Sequence, residues 1–115
     1  MPRRLKSGPL DEVFGALANP TRRDILDELL AGEHTAGELA AKFDMARPSV
    51  SEHLRALRTS GLVDERQDGR RRIYRVTGEP MGELIDWLTP YERFWRDRMS
   101  ALGGVLDQME DDDDE

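Results

Sequence analysis

MARPSVSEHLRALRTSGLV, from Met45 to Val63, is the stretch whose reading decides the fold. Val50, Leu54 and Leu57 fall at i, i+4 and i+7, which stacks them on one stripe of a 3.6-residue helix and points that stripe at a core. Measured around the helix from Val50, Pro48, Ser51, Glu52, Arg55 and Thr59 look broadly the other way and offer hydroxyls, a carboxylate and a guanidinium to something outside. Ser60-Gly61 ends the helix, because glycine tolerates the left-handed conformation of a helix C-terminus, and Leu62-Val63 begins an extended segment.

Upstream, three more helices are legible. Leu10, Val13, Phe14, Leu17 and Ala18 follow an i, i+3, i+4, i+7, i+8 pattern and predict a helix from Pro9 to Ala18. Asn19 is a good N-cap and Pro20 suits a first helical position, where its missing N–H is not needed. A second helix is expected from Pro20 to Ala31, with Ile25, Leu26, Leu29 and Leu30 as its inner stripe and Gly32 as its stop. Thr35-Ala36-Gly37-Glu38 is a capping box opening a third helix, Ala36 to Phe43, whose inner face is Leu39, Ala40 and Phe43. Asp44 to Ala46 then leads into the central stretch. Two short helices joined by such a turn, the second with a polar outer face, make a helix-turn-helix, an element that can present that face to DNA.

Downstream, from Leu62 to Thr77, the period changes to two around Asp68-Gly69, a signal for a hairpin with a type I′ turn. Arg70, Arg71 and Arg72 stand at its tip, and Tyr74 and Val76 share the face that packs back on the helices. After Gly78-Glu79-Pro80, the residues Met81, Leu84, Ile85 and Leu88 mark a further amphipathic helix. Thr89-Pro90-Tyr91-Glu92 reads as a second capping box, so the helix is expected to kink or restart there. The pattern resumes at Tyr91, Phe94, Trp95, Leu102, Val105, Leu106 and Met109. Trp87, Tyr91, Phe94 and Trp95 lie in this segment, against Phe14, Phe43 and Tyr74 in the rest of the chain, and a second copy is the simplest surface to bury them.

At 115 residues the chain is about one domain. It is read as a basic arm at residues 1–9 bearing Arg3, Arg4 and Lys6, a folded region at 10–109, and an acidic, disordered tail at 110–115. The net charge of −7 hides a strong asymmetry. Residues 1–75 carry 14 Lys and Arg against 12 acids, and residues 76–115 carry 3 against 12; within 47–75 alone, eight arginines face four acids. A basic middle suits a nucleic-acid partner despite the acidic whole. Cysteine is absent, which removes disulfides, thiolate metal ligands and a thiol nucleophile. No apolar leader follows Met1-Pro2-Arg3-Arg4, and no run approaches the roughly 18 apolar residues of a membrane span, so a cytoplasmic protein without a membrane partner is expected. No phosphate-binding glycine loop, HExxH or activated Ser/His/acid set appears, and an enzyme is not expected.

With these elements in order, the chain resembles the ArsR-type winged helix-turn-helix repressors. The resemblance is carried by VFGALANPTRRDILDELL, the TAGELA helix start, RPSVSEHLRALRTSGLV and DGRRRIYRV, and it covers Val13 to Val76. It implies a mainly α fold with a small β-hairpin, and a homodimer built from the first and last helices that binds double-stranded DNA at a palindromic operator and represses transcription until a signal releases it. Arg47, Pro48, Ser49, Ser51 and Glu52 match positions that reach base edges, and the wing tip, Gly69 to Arg72, matches backbone-contacting positions. Arg47 could fork onto a guanine and Glu52 accept from a cytosine amine, while Arg55 and Arg58 suit phosphates. Leu10 and Phe14 on the first helix with Phe94, Trp95 and Leu102 on the last are the expected dimer interface.

The departures concern sensing. Where metal-sensing members place a Cys-x-Cys run, this chain has Thr35 and Gly37, and its histidines, His34 and His53, both lie off the last helix; no metal or other cofactor is expected. Ala46 stands where a capping Ser is common. His53, on the flank of the buried stripe, reads as a hydrogen-bonded interface residue without an evident partner. An unidentified small-molecule effector, for which a kink at Pro90 could open a pocket between protomers, and a purely protein-binding use of the winged fold both stay open.

Overall fold

The computed structural model describes residues 8–113, with side chains described through residue 104; residues 1–7, which hold Arg3, Arg4 and Lys6 of the arm, and the last two acidic residues lie outside the described residues. The order is α1 (Pro9–Leu17), α2 (Pro20–Ala31), α3 (Ala36–Phe43), α4 (Arg47–Thr59), β1 (Val63–Asp68), β2 (Arg71–Val76) and α5 (Glu79–Asp113). The described residues fall into two units that divide between Leu84 and Ile85.

In the first unit, four helices and the hairpin enclose one core. Val50, Leu54 and Leu57 of α4 are buried against Val13 and Ala16 of α1, Ile25, Leu26 and Leu29 of α2, Leu39 of α3, and Leu62, Tyr74 and Leu84. The caps do what their residue types allow. Asn19 accepts the Arg22 N–H at 3.1 Å. Thr35 Oγ1 accepts the Glu38 N–H at 3.1 Å while the Glu38 carboxylate accepts the Thr35 N–H at 2.8 Å. Ala46 caps α4 without a side-chain bond. Asp44 turns the chain between α3 and α4 with φ of 52°, a left-handed conformation that its short polar side chain tolerates. Gly61 is required twice over. Its φ is +82°, and a Cβ there would stand 2.9 Å from the Pro80 ring.

Two inner stripes are corrected. On α1, Ala16 is buried and Phe14 exposed, because the helix meets α2 and α4 along the Val13–Ala16 face, with Leu10 and Leu17 on its margins. On α2, Leu30 is 76% exposed, since one residue past the buried Leu29 the helix has turned outward by about 100°. The hairpin turn is corrected as well. Asp68 pairs with Arg71, so the loop is Gly69-Arg70. Only Gly69 has positive φ, at +65°, which is the signature of a type II′ turn and not of type I′. Besides Tyr74 and the half-buried Val76, Ile73 is also buried, so β2 is covered at consecutive positions. His34 and Tyr74 exchange backbone hydrogen bonds at 2.8 and 3.2 Å, adding a third extended segment to the wing.

The second unit is the remainder of α5. The helix neither stops nor restarts at Thr89-Pro90. Thr89 Oγ1 donates to the Ile85 carbonyl at 2.8 Å instead of capping a new helix, and Pro90 sits inside a single 35-residue helix. Its backbone bounds run to Asp113 and so take in Glu110–Asp113 of the tail expected to be disordered. Tyr91, Phe94, Trp95 and Leu102 are all more than half exposed. Trp87 and Tyr91 stack at a tilt with ring centroids 4.8 Å apart, and the Arg98 guanidinium lies 4.8 Å from the Phe94 ring centre.

Candidate nucleic-acid interface

The outer face of α4 is open. Arg47, Pro48, Ser49, Ser51, Glu52, Arg55, Arg58 and Thr59 are all exposed, and the helix is held from behind by three residues with almost no accessible surface. Side chains at its N-terminus therefore stand on a rigid base.

One groove of about 730 Å³ joins the parts that the sequence separates. Arg47 and Ser51 of α4 line it together with Thr35, Gly37 and Glu38 of the α3 start and with Arg70, Arg71, Arg72 and Tyr74 of the wing. Arg47 and Ser51 occupy the flank of α4 nearest the wing. The Arg47 guanidinium carbon lies 3.8 Å from where a Cβ on Gly37 would stand, an ordinary van der Waals distance. Arg71 reaches the Glu38 carboxylate at 3.5 Å. That carboxylate is held below its ordinary range, first by the Thr35 N–H, then by the Thr35 hydroxyl, and further by Arg71. Arg70 forms no ion pair among the described residues.

Arg55 and Arg58 belong to a different hollow, about 570 Å³, lined also by Thr59, Val63, Asp64 and Glu65. There Arg58 Nη2 lies 3.3 Å from Glu65 Oε1, and Arg72 Nη1 approaches the other carboxylate oxygen to 3.9 Å. Glu52 and Arg55 border a third hollow, of about 400 Å³, with Glu12 and Arg22. Pro48 and Ser49 are exposed but line none of the three. The expected surface is thus one convex helix face bordered by separate grooves. Thr35, Gly37, Glu38 and Glu65 were not read from the sequence as part of it. The capping box explains the first three locally, and only the tertiary approach of the wing adds a second role.

His53 does have a partner: Arg22 Nε donates to its Nδ1 at 3.4 Å. Among the described residues no group of three or more His, Asp and Glu is placed to hold a metal ion, and no helix is long and apolar enough to cross a membrane.

A helix-turn-helix with an exposed second helix, followed by an arginine-tipped hairpin, defines a winged helix-turn-helix protein. Residues 19–65 match the model of the bacterial regulatory proteins of the arsR family. The HTH-type transcriptional regulator Rv2034 of Mycobacterium tuberculosis is 38% identical over 102 residues, covering 89% of this chain and 92% of that protein. The transcriptional repressor SdpR of Bacillus subtilis is 34% identical over 69% of this chain and 88% of its own length. Among solved structures, the homodimeric winged helix-turn-helix DNA-binding domain Mb0332 from Mycobacterium bovis, described as a possible ArsR-family regulator, is similar with a TM-score of 0.62 and 34% identity, over 74% of this chain and 79% of that one. The chain belongs to the ArsR family and is a transcriptional regulator.

Proposed function

We propose that the chain is a homodimeric repressor that binds a two-fold symmetric DNA operator, with Arg47, Ser49, Ser51 and Glu52 reading base edges and Arg55, Arg58 and Arg70–Arg72 holding phosphates. The observation that carries this reading is the single groove shared by the start of α4 and the wing tip, which lets one seated helix bring both kinds of contact to the duplex. The exposed aromatic residues of α5, with Phe14 on α1, supply the apolar surface for a second copy. The regulator acts in the cytoplasm, does no chemistry of its own, and needs no bound metal.

A mobility-shift titration on the DNA upstream of its own gene tests the reading. A retarded complex is expected, competed by the same duplex far better than by a scrambled one. Equal competition by both would remove the claim of sequence specificity, and no complex at low salt would remove the DNA reading.

A further inference from the structure

We propose that Glu65 is a specificity-determining residue, which ties Arg58 and Arg72 to one carboxylate and so withholds both cations from indiscriminate phosphate contact. The proposal rests on the DNA reading above. Glu65 lies on β1 directly across the hairpin from Tyr74, and its two oxygens face guanidiniums from different elements, Arg58 on α4 at 3.3 Å and Arg72 on β2 at 3.9 Å. Oε2 is fully buried and makes no hydrogen bond. A buried carboxylate oxygen left in that state is costly unless positive charge stands close by, so the two arginines and the carboxylate hold one another in place. Burial, then a hydrogen bond with the Glu65 carboxylate and last its charge, push the Tyr74 phenol above its ordinary value, in keeping with a carboxylate beside that ring.

The consequence follows from what a guanidinium can do. Each arginine has five donors, so one bound to Glu65 still has N–H groups for a phosphate, but only along the direction in which the carboxylate holds it. When α4 is seated on its own site, that direction is the useful one and the ordering is already in place. On unrelated DNA, where phosphates fall in no fixed register, a tethered arginine reaches fewer of them than a free one. The carboxylate also lowers the charge of the trio from +2 to +1, which weakens the counterion-release drive common to all DNA.

The test uses the full chain, the upstream duplex bound by the wild type, and a scrambled duplex of equal length. Glu65→Gln keeps the shape and removes the charge. It is expected to tighten binding to the scrambled duplex by about threefold to tenfold at low salt and to steepen the log–log salt slope by up to about two per dimer. Affinity for the upstream duplex should change less, so the ratio between the two falls. In an Arg58→Gln/Arg72→Gln background only the lost negative charge of Glu65 is left to act, so Glu65→Gln should tighten scrambled-duplex binding by a clearly smaller factor than in the wild type. A loosened wing would instead weaken both complexes, and that result, an unchanged slope, or an equally large gain in the double-variant background overturns the assignment. If the wild type binds DNA normally, such a failure touches Glu65 alone; if the wild type binds neither duplex, the DNA reading fails and this inference with it.

Discussion

Arg22 Nε stands 3.4 Å from His53 Nδ1 and donates to it, while Nη1 of the same guanidinium donates to the Gly15 carbonyl at 3.3 Å. One side chain on α2 thereby joins the last turn of α1 to the flank of α4. In that bond Nδ1 is the acceptor. Arg22→Ala should lower stability by about 1–2 kcal/mol through the lost bonds and packing. A urea titration measures it, and Arg22→Lys should not restore the loss because a point charge lacks the two-sided fork. An unchanged midpoint in Arg22→Ala would show that the bridge contributes nothing.

Ala46 leaves the first turn of α4 without a side-chain acceptor. Pro48 has no N–H to offer, so the group a cap would satisfy is the Ser49 N–H, which now reaches the Ala46 carbonyl at 3.0 Å. Ala46→Ser should raise the urea midpoint by the equivalent of about 1 kcal/mol. A lowered midpoint would mean that the loop cannot admit the hydroxyl geometry.

Acid should loosen the α3 end of the interface. The carboxyls of Glu28 and Glu38 are both held below the ordinary glutamate range, the first chiefly by its hydrogen bond with Lys42 and the second chiefly by the Thr35 N–H. Groups shifted this way contribute stability above their unfolded-state value of about 4.5 and lose it as pH falls through the lower folded-state values. Stability should therefore decline as pH drops below about 4.5. Glu38→Gln, which cannot titrate, should decline less over the same range when melting is followed from pH 6 to pH 3. An identical pH profile for the variant would exclude Glu38 as a source.

Trp95 is 59% exposed and Leu102 51% on the last helix. If a second copy covers this face, Trp95→Glu with Leu102→Glu should convert the dimer to a folded monomer, because two buried carboxylates per protomer would lie in an apolar interface. Sedimentation with circular dichroism reads both properties. A variant that remains dimeric at micromolar concentration would place the interface elsewhere.

The helices were legible because local chemistry decides them. Asn19, Pro20, Thr35 and Glu38 act within their own turns, and the α2 and α3 bounds agree with those expected. What escaped the sequence depends on residues far apart. Phe14 and Leu30 carry the right apolar character on helices whose buried faces are set by their neighbours. Thr89 and Pro90 have the form of a cap, yet the Thr89 hydroxyl turns back to the Ile85 carbonyl and the helix runs on. At the wing, Asp-Gly identifies a turn correctly, but pairing of Asp68 with Arg71 shifts the loop by one residue. The surface arginines were identifiable by charge alone. That Arg71 meets Glu38, and Arg58 and Arg72 meet Glu65, follows only from the packed hairpin.

In the proposed complex Arg47 reads sequence and the wing arginines supply charge. Arg47 is backed by the buried stripe of α4 and lies against Gly37, whereas Arg70 sits in the hairpin loop without an ion pair among the described residues. The direct measurement is a binding titration of wild type, Arg47→Ala and Arg70→Ala on the upstream duplex and its scrambled counterpart at several salt concentrations. Arg70→Ala is expected to weaken both complexes by similar factors and to make the log–log salt slope shallower by up to about two per dimer. Arg47→Ala should cost about 1–3 kcal/mol per half-site on the upstream duplex and much less on the scrambled one. The affected base positions should recur about 10 base pairs apart. If Arg47→Ala weakens both duplexes equally while Arg70→Ala loses only the upstream one, the division of roles is contradicted.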